Sequence, residues 1–188
     1  MINILQKENK KLRQNALEVD LSTVRSPKIV KIIDNMKQAL IEQEDGVAIA
    51  APQIGENLRI FVISKRVYEM IEDSKKKTKA SKKTEVDEKD KSEKYKDQIF
   101  INPKIIKVSK EKEMMDEGCL SVRWLYGKVL RSKKTTVEAF DEEGKKFTMG
   151  GSGIIAQVFQ HEIDHLDGVL FIDEAMNLEE IPPQKNQK

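Results

Sequence analysis

A long charged segment in the middle of the chain most limits the folds that this sequence can adopt. Residues 74–97 contain ten lysines and six acidic residues, and only three of their side chains are apolar. Such a stretch buries too little apolar surface to offset the entropy lost on ordering. We therefore expect a solvated, mobile insertion, with docking on an acidic partner such as ribosomal RNA as the alternative. The core must come from the flanking sequence, as one domain over residues 1–174 followed by a polar tail over 175–188.

Composition and charge exclude several classes of protein. The chain has 188 residues, of which 38% are hydrophobic and 35% charged, and its formal net charge is +2. This composition suits one globular domain and lacks the clustered basic excess of a DNA-binding protein. No apolar run approaches the roughly 20 residues that span a bilayer, and the first residues lack the apolar core of a secretion signal. A single cysteine forms no internal disulfide, which fits a reducing cytoplasm. We also expect the chain to be a monomer.

The spacing of apolar residues predicts helices and strands in one domain. Ser26-Pro27 has the side-chain oxygen and the proline typical of a helix start, and the apolar pattern that follows predicts a helix over residues 27–43. A second helix, with a partly apolar surface, ends at Gly168. Strands are expected at residues 58–64, 98–108 with a break at Pro103, 135–140, 146–149 and 169–172. The expected fold is α+β, with mostly antiparallel sheets packed around the C-terminal helix.

That C-terminal helix carries a metal-binding pattern. The segment His161-Glu162-Ile163-Asp164-His165 holds both histidines of the chain. Residues four apart on a helix share a face, with Cβ atoms about 5–6 Å apart, so the two imidazoles can hold one metal ion. Glu162 lies one step around the helix, where it is better placed to take a proton from activated water than to be a third ligand. We interpret the pattern as a metal site rather than as two surface histidines.

Cys119 is the best candidate for a third ligand. It is the only cysteine, and it lies in the segment Glu117-Gly118-Cys119-Leu120-Ser121-Val122. A lone cysteine is more often a small buried hydrophobe, but beside a two-histidine helix ligation becomes the better interpretation. Two histidines, one cysteine and water form an open catalytic arrangement, and a thiolate favours Zn²⁺ or Fe²⁺ over Mg²⁺.

A third segment, GVAIAAPQIG from Gly46 to Gly55, combines small residues with a lone amide. Small residues let the backbone approach a ligand closely, although they also serve tight packing between elements. The side chain of Gln53 is able to donate a hydrogen bond to a developing oxyanion. Taken alone, this segment is a weak indication of a site.

Together, and in this order, the three segments resemble the signature motifs of the peptide deformylases. The family pattern is G-x-G-x-A-A-x-Q, then E-G-C-L-S, then Q-H-E-x-D-H, and this chain reads GVAIAAPQ, EGCLSV and QHEIDH. The resemblance covers residues 2–174 apart from the charged insertion. It implies a single catalytic domain that removes the formyl group from the N-terminal formylmethionine of new polypeptides and releases formate. Fe²⁺ is the implied metal, with Zn²⁺ or Ni²⁺ able to replace it.

The resemblance also implies roles for individual residues. By motif position, the metal ligands would be Cys119, His161 and His165, and the general base and later acid would be Glu162. The formyl oxygen would be held by Gln53 and the backbone N–H of Leu120. The peptide would lie as an added strand along Gly46, Val47 and Ala48. The methionine side chain would contact Val47, Met115, Ile154 and Val158, with Gln157 at the rim; plain core packing is the alternative for these four apolar residues.

Five residues bear on this comparison. Ala48 replaces the second glycine of the family pattern, and Arg123 follows EGCLSV where many members have proline. We expect these departures to change the groove or its wall rather than the reaction. Glu117 and Arg131 are expected to form a pair that is either buried and orienting or exposed and idle. Trp124 is expected either at the substrate entrance or half-buried in packing.

Two other functions fit parts of the sequence. A zincin-type protease also has H-E-x-x-H, but its third ligand lies downstream, where this chain offers only Glu174, Glu179 and Glu180. A metal-binding or ribosome-docking protein without catalysis is the other alternative, with Ala48 and the lysine-rich insertion as its marks.

Overall fold

The computed structural model of the chain describes residues 2–78 and 95–183, and it confirms the α+β class. Within these ranges the α-helices are α1 Pro27–Glu42, α2 Arg66–Thr78 and α3 Ile154–Leu166. The strands are β1 Ala48–Ala50, β2 Ile60–Ile63, β3 Gln98–Val108, β4 Lys112–Gly118, β5 Leu125–Ser132, β6 Lys134–Phe140, β7 Lys146–Ser152 and β8 Met176–Glu180. No helix in the described ranges has both the length and the apolar character needed to cross a membrane.

Helix α1 covers one face of a five-stranded antiparallel sheet. The helix begins as predicted, because the Ser26 hydroxyl accepts a hydrogen bond from the backbone N–H of Ile29 and Pro27 occupies the first turn. Strand order in the sheet is β1-β2-β3-β6-β7. Side chains alternate between the two faces of a strand, so Ile60 and Val62 pack against α1 while Phe61 faces the opposite side.

The predicted break in β3 is a shift of register within a continuous strand. The pairing of β3 with β6 slips between Ile101 and Lys104. At the slip, Asn102 adopts a positive φ of 50° and exchanges two 2.8 Å hydrogen bonds with the backbone of Val19. The predicted hairpin is present as β6 and β7, whereas the predicted strand at 169–172 is wrong, because Phe171–Asp173 forms a 3-10 turn.

A second sheet, with the order β4-β5-β8, includes part of the expected C-terminal tail. Strands β4 and β5 form an antiparallel hairpin, and β8 pairs with β5 on the other side. Five residues of the segment predicted to be a polar tail are therefore paired rather than free, although all five side chains of β8 are exposed. The sequence does not reveal this strand, because β8 is held by backbone pairing and its exposed side chains form no pattern of buried apolar residues.

Helix α3 contacts strands of both sheets, and this places the H-E-x-x-H segment in the interior. Its apolar residues join the cluster on the inner face of the five-stranded sheet, where Phe159 meets Phe61 and Phe100. The helix ends where the chain turns at Gly168, whose φ of +75° and close approach to the backbone of Arg13 exclude a side chain. Within the helix, His165 is buried and His161 is half-buried.

Most of the charged insertion lies outside the described residues. Helix α2 extends to Thr78 and so includes the first five residues of the segment predicted to be solvated. Residues 95–97 lead directly into β3. The prediction for residues 79–94 concerns a part of the chain that the structure does not describe.

Candidate metal centre and active site

Three candidate ligands meet where α3 passes the loop after β4. The imidazoles of His161 and His165 have ring centroids 4.9 Å apart. Cys119 directly follows β4, and its Sγ lies 3.1 Å from Nε2 of His165. One ligand atom from each of the three residues lies within 4.8 Å of the other two. The structure thus brings together three side chains that are widely separated in the sequence, at a spacing suited to one metal ion.

The donor set fits a divalent metal. Nδ1 of His161 lies 3.0 Å from Oε2 of Glu117, so Nε2 is the nitrogen available to a metal ion. Burial would lower the pKa of His161, but its bonds to Cys119 and Glu117 raise it well above the ordinary value, so a proton must leave when a metal binds. Burial lowers the pKa of His165 well below its ordinary value, which keeps this ligand neutral. One sulfur and two imidazole nitrogens suit Zn²⁺ or Fe²⁺.

Behind His161 lies a buried network of charged side chains. Arg131 binds both carboxylate oxygens of Glu117, at 2.7 and 3.0 Å, and Oδ2 of Asp164 at 2.6 Å. Burial would raise the pKa of Glu117, but hydrogen bonds from His161 and Arg131 outweigh it and lower the pKa to about 2. Glu117 and Arg131 thus form a buried pair, and the charged carboxylate fixes the orientation of the His161 ring.

Glu162 is a second buried carboxyl group of the site, besides Glu117. Its side chain lines the cavity and is 3% exposed. Burial raises the pKa of Glu162 to about 7. Among the described residues, Oε2 has no hydrogen-bond partner, and a buried polar atom without a partner is costly unless water or a substrate supplies one. A carboxyl group with these properties is able both to take and to give a proton near neutral pH.

Gln53 faces the candidate ligand Cys119 in a fixed orientation. Its Oε1 accepts a 2.8 Å hydrogen bond from the backbone N–H of Ala50. Its Nε2 donates to Oγ of Ser121 at 3.0 Å and lies 3.5 Å from Sγ of Cys119. Both amide hydrogens thus have a partner, and the one directed at Sγ of Cys119 points toward the candidate metal ligands.

Leu120 offers a backbone donor beside the same cavity. Within residues 2–78 and 95–183, no protein acceptor takes the backbone N–H of Leu120. Its side chain is buried in the core cluster beneath α1. Because the donor belongs to the residue directly after Cys119, it lies next to the candidate ligand in the chain.

A cavity of about 290 Å³ opens beside these groups. Most of the predicted substrate-binding residues line it, namely Gly46, Val47, Ala48, Ile154 and Val158, together with Gln157 and Trp124. Met115 does not line this cavity. It pairs with Val129 in the β4–β5 hairpin, on the same face of β4 as Glu117 but one pleat, about 7 Å, farther along the strand.

The open edge of β1 runs along this cavity. The N–H of Ser64 donates to the carbonyl of Val47, and Ala48 pairs opposite Ile63. In an antiparallel ladder, alternate residues point their polar groups away from the partner strand, so those of Ala48 point to the cavity side. Strand β1 is the edge of its sheet among the described residues, and an extended peptide can pair with it there.

The two departures from the family pattern lie in different surroundings. Ala48 is buried in the cluster with Phe61 and α3, and it keeps regular strand pairing. Arg123 lies on the wall of the cavity, where it binds both carboxylate oxygens of Asp45 and, at 2.9 Å, Oε1 of Gln43. Its guanidinium also lies 4.7 Å from the centroid of the Trp124 ring, which itself lines the cavity.

Sequence reasoning missed several residues of the site. Ser121, Asp164, Tyr126 and Asp45 contact or line it, yet no motif assigned them a role. The glycine of EGCLS contained a usable signal for one of them, because a side chain at Gly118 would meet the ring of Tyr126 at 2.7 Å. The others depend on contacts across the fold.

A buried carboxyl group beside a cysteine and two histidines, open to a groove with a free strand edge, defines a metal-dependent hydrolase of peptide-like substrates. The chain matches the model of the family described as Polypeptide deformylase over residues 1–180, and it belongs to that family. Its activity is therefore the removal of the N-formyl group from newly made polypeptides.

Relatives and solved structures agree with this assignment. The chain is 40% identical over 166 residues to Peptide deformylase 2 of Clostridium acetobutylicum, covering 88% of this chain and 89% of that protein. It resembles a probable peptide deformylase from Synechococcus phage S-SSM7 with a TM-score of 0.70 and 34% identity, covering 93% of this chain and 99% of that one. It also resembles a Synechococcus elongatus peptide deformylase in complex with actinonin, with a TM-score of 0.74 and 30% identity, covering 94% of this chain and 81% of that one.

Proposed function

We propose that this deformylase holds its metal ion with Cys119, His161 and His165 and uses Glu162 to move the protons of the reaction. The observation that carries the proposal is the meeting of the three ligand atoms within 4.8 Å beside a buried carboxylate. When bound, a divalent ion supplies the Lewis acidity that makes hydroxide available near neutral pH. We further propose Fe²⁺ as the working metal, with Zn²⁺ or Ni²⁺ able to replace it, because one thiolate and two imidazoles suit all three.

Glu162 carries a proton from water to the leaving group. Its carboxylate takes a proton from the attacking water as the water oxygen bonds to the formyl carbon. The bond between the formyl carbon and the methionine nitrogen then breaks, and Glu162 gives the proton to that nitrogen. Formate and a free N-terminus result. The raised pKa of Glu162, caused by burial, suits a group that must act both as base and as acid.

Two donors stabilise the negative charge on the formyl oxygen. These are Nε2 of Gln53, through the hydrogen on its Cys119 side, and the backbone N–H of Leu120. Ser121 supports this role, because its Oγ accepts the other amide hydrogen of Gln53, with Nε2 and Oγ 3.0 Å apart. Removing one such donor typically lowers the rate by about 10²–10³-fold.

The substrate is an N-formylmethionyl peptide that extends the five-stranded sheet. Its backbone pairs with the open edge at Gly46, Val47 and Ala48, and its methionine side chain contacts Val47, Ile154 and Val158. An apolar lining on the same face of α3 as the site supports this arrangement.

We also propose a setting for the enzyme. The catalytic domain extends through strand β8, and the chain acts as a monomer in the cytoplasm, where its single cysteine suits a reducing compartment. The lysine-rich segment 74–97 makes a transient contact with the ribosome, which its net positive charge supports.

Formate release by the iron-loaded protein, prepared without oxygen, tests the proposal. With formyl-Met-Ala-Ser as substrate, we expect the parent chain to release formate and Glu162→Gln to lose nearly all of this activity while retaining its metal. Glu142→Gln makes the same change on the exposed β6–β7 turn and serves as control. Equal activity of Glu162→Gln and the parent would remove Glu162 from the mechanism.

A second variant separates this site from that of a zincin-type protease. Cys119→Ser should lose bound metal, measured by elemental analysis after gel filtration. Full metal retention in this variant would instead indicate a downstream third ligand.

A further inference from the structure

The N-terminal segment contacts both proposed oxyanion donors from the side away from the substrate. The backbone N–H of Leu5 donates to the carbonyl of Gln53 at 2.8 Å. The side chain of Gln6 donates through Nε2 to the carbonyl of Leu120 at 3.1 Å and to that of Ile4 at 3.2 Å. Gln6 does not line the substrate cavity. It lies instead on a separate cavity of about 320 Å³ that shares Leu120 as a wall.

We propose that Gln6 is a positioning residue that holds the Leu120 backbone in the orientation needed to stabilise the formyl oxygen. This inference rests on the proposed role of the Leu120 N–H. Gln6 touches neither the substrate nor the metal ligands, so it acts only through Leu120.

The other bonds that anchor this loop from outside reach its neighbours rather than Leu120, because Gln53 donates to Ser121 and Arg123 binds Asp45 and Gln43. The N–H of Val122 donates to the carbonyl of Cys119, and the N–H of Ser121 contacts the Cys119 sulfur, so both bonds stay within the loop. The buried side chain of Leu120 fixes one direction of the residue. The bond from Gln6 restrains the Leu120 carbonyl, and together the two contacts restrain the Leu120 Cα, from which the N–H projects.

A side-chain amide is well suited to this position. An NH₂ group has two hydrogens, which allows one nitrogen to bridge the carbonyls of Ile4 and Leu120. An apolar side chain of similar length donates neither bond, and an imidazole can donate only one bond from each ring nitrogen. The chemistry of Gln6 therefore matters more than its volume.

The expected kinetic effect concerns the transition state alone. The oxyanion forms only as the formyl carbon becomes tetrahedral, so a misdirected Leu120 N–H lowers kcat and leaves substrate binding unchanged. Losing an oxyanion donor outright costs about 10²–10³-fold, and a donor that is loosened rather than removed should cost less. We expect kcat of Gln6→Met to fall about 3- to 10-fold, within the range for a misplaced catalytic group.

The test compares four iron-loaded proteins: the parent, Gln6→Met, Gln6→His and Gln38→Met. Gln38 is exposed on α1 and donates a 3.1 Å bond to Glu42, so its variant also loses one side-chain hydrogen bond. We expect kcat for formyl-Met-Ala-Ser to fall in Gln6→Met, to recover partly in Gln6→His and to stay at the parent level in Gln38→Met. KM, inhibition by the product Met-Ala-Ser, metal content and Tm should be unchanged in Gln6→Met.

Two results would overturn the inference. One is a kcat for Gln6→Met within twofold of the parent value. The other is a loss of activity that follows a raised KM, lost metal or a lower Tm, because that pattern indicates a merely structural residue. Failure of the proposed function would look different, since the metal-loaded parent itself would then release no formate.

Discussion

Two arginines on one hairpin and its connecting loop bind carboxylates in the same manner but in opposite surroundings. Arg131, on β5, grips Glu117 with two hydrogen bonds, and the side chains of the pair are 6% and 2% exposed. Arg123, on the cavity wall between β4 and β5, grips Asp45 with two hydrogen bonds, and there the side chains are 19% and 53% exposed. The partners also differ in position: Glu117 holds a candidate metal ligand, whereas Asp45 precedes the strand edge proposed to bind the substrate.

The difference indicates that the two charged pairs have different roles at the inner end of the site and at its mouth. A buried cation that faces two carboxylates cannot be removed without leaving uncompensated charge, so the inner pair is expected to be essential for the fold. The outer pair is hydrated mainly on the Asp45 side, and ion pairs open to solvent contribute little to stability. We therefore expect the inner end of the site to be fixed and the mouth to tolerate change.

The largest effect should follow from Arg131→Met. This change leaves the buried Glu117 and the half-buried Asp164 without their cation, and such losses destabilise proteins by about 3–5 kcal/mol. Urea unfolding of metal-free protein measures the free energy of unfolding without a contribution from the metal. Arg123→Met is the matched control, with an expected loss below about 1 kcal/mol. Equal losses in the two variants would contradict the distinction between buried and exposed pairs.

A smaller effect is expected when the inner carboxylate loses its charge. In Glu117→Gln, His161 keeps a hydrogen-bonding neighbour but loses the anion that orients its ring, and changes of this kind typically lower metal affinity by about 10- to 100-fold. Competition with a chromophoric chelator for Zn²⁺ measures this affinity. Asp45→Asn makes the equivalent change at the mouth and should leave the affinity at the parent value. An unchanged affinity in Glu117→Gln would show that the carboxylate does not orient the ligand.

Local features of this fold could be predicted from the sequence, whereas contacts between distant residues, such as those of the two arginines, could not. Helix α1 was predictable because its apolar period and its Ser26-Pro27 start are local signals. The spacing of His161 and His165 on one helix is equally local, so the candidate ligand pair followed directly from it. Strand β8 was not predictable in this way, because it pairs through its backbone while all its side chains are exposed.

The positions of individual side chains could not all be predicted, because some depend on contacts between residues far apart in the sequence. Met115 was expected beside the substrate because it is close to Cys119 in sequence, but the pleat of β4 carries it about 7 Å beyond Glu117. The partner of Arg123 could not be predicted either, since Asp45 lies in the connection after α1 and meets the loop only in the folded chain.

The smallest effect is expected at the mouth and should appear in substrate binding. Arg123 binds Asp45 and Gln43 at the cavity wall, directly before the β1 edge proposed to bind the peptide. In Arg123→Met these hydrogen bonds are lost, so the β1 edge is less ordered in the free protein. Peptide binding must then also supply the free energy that orders this edge. Because the cost is the same in the ground state and the transition state, KM should rise while kcat stays unchanged. An exposed pair worth at most about 1 kcal/mol limits the rise to about fivefold, measured by formate release from formyl-Met-Ala-Ser. A fall in kcat at constant KM would instead mean that the mouth acts on the transition state, and the two ends of the site would then not differ in the way their burial indicates.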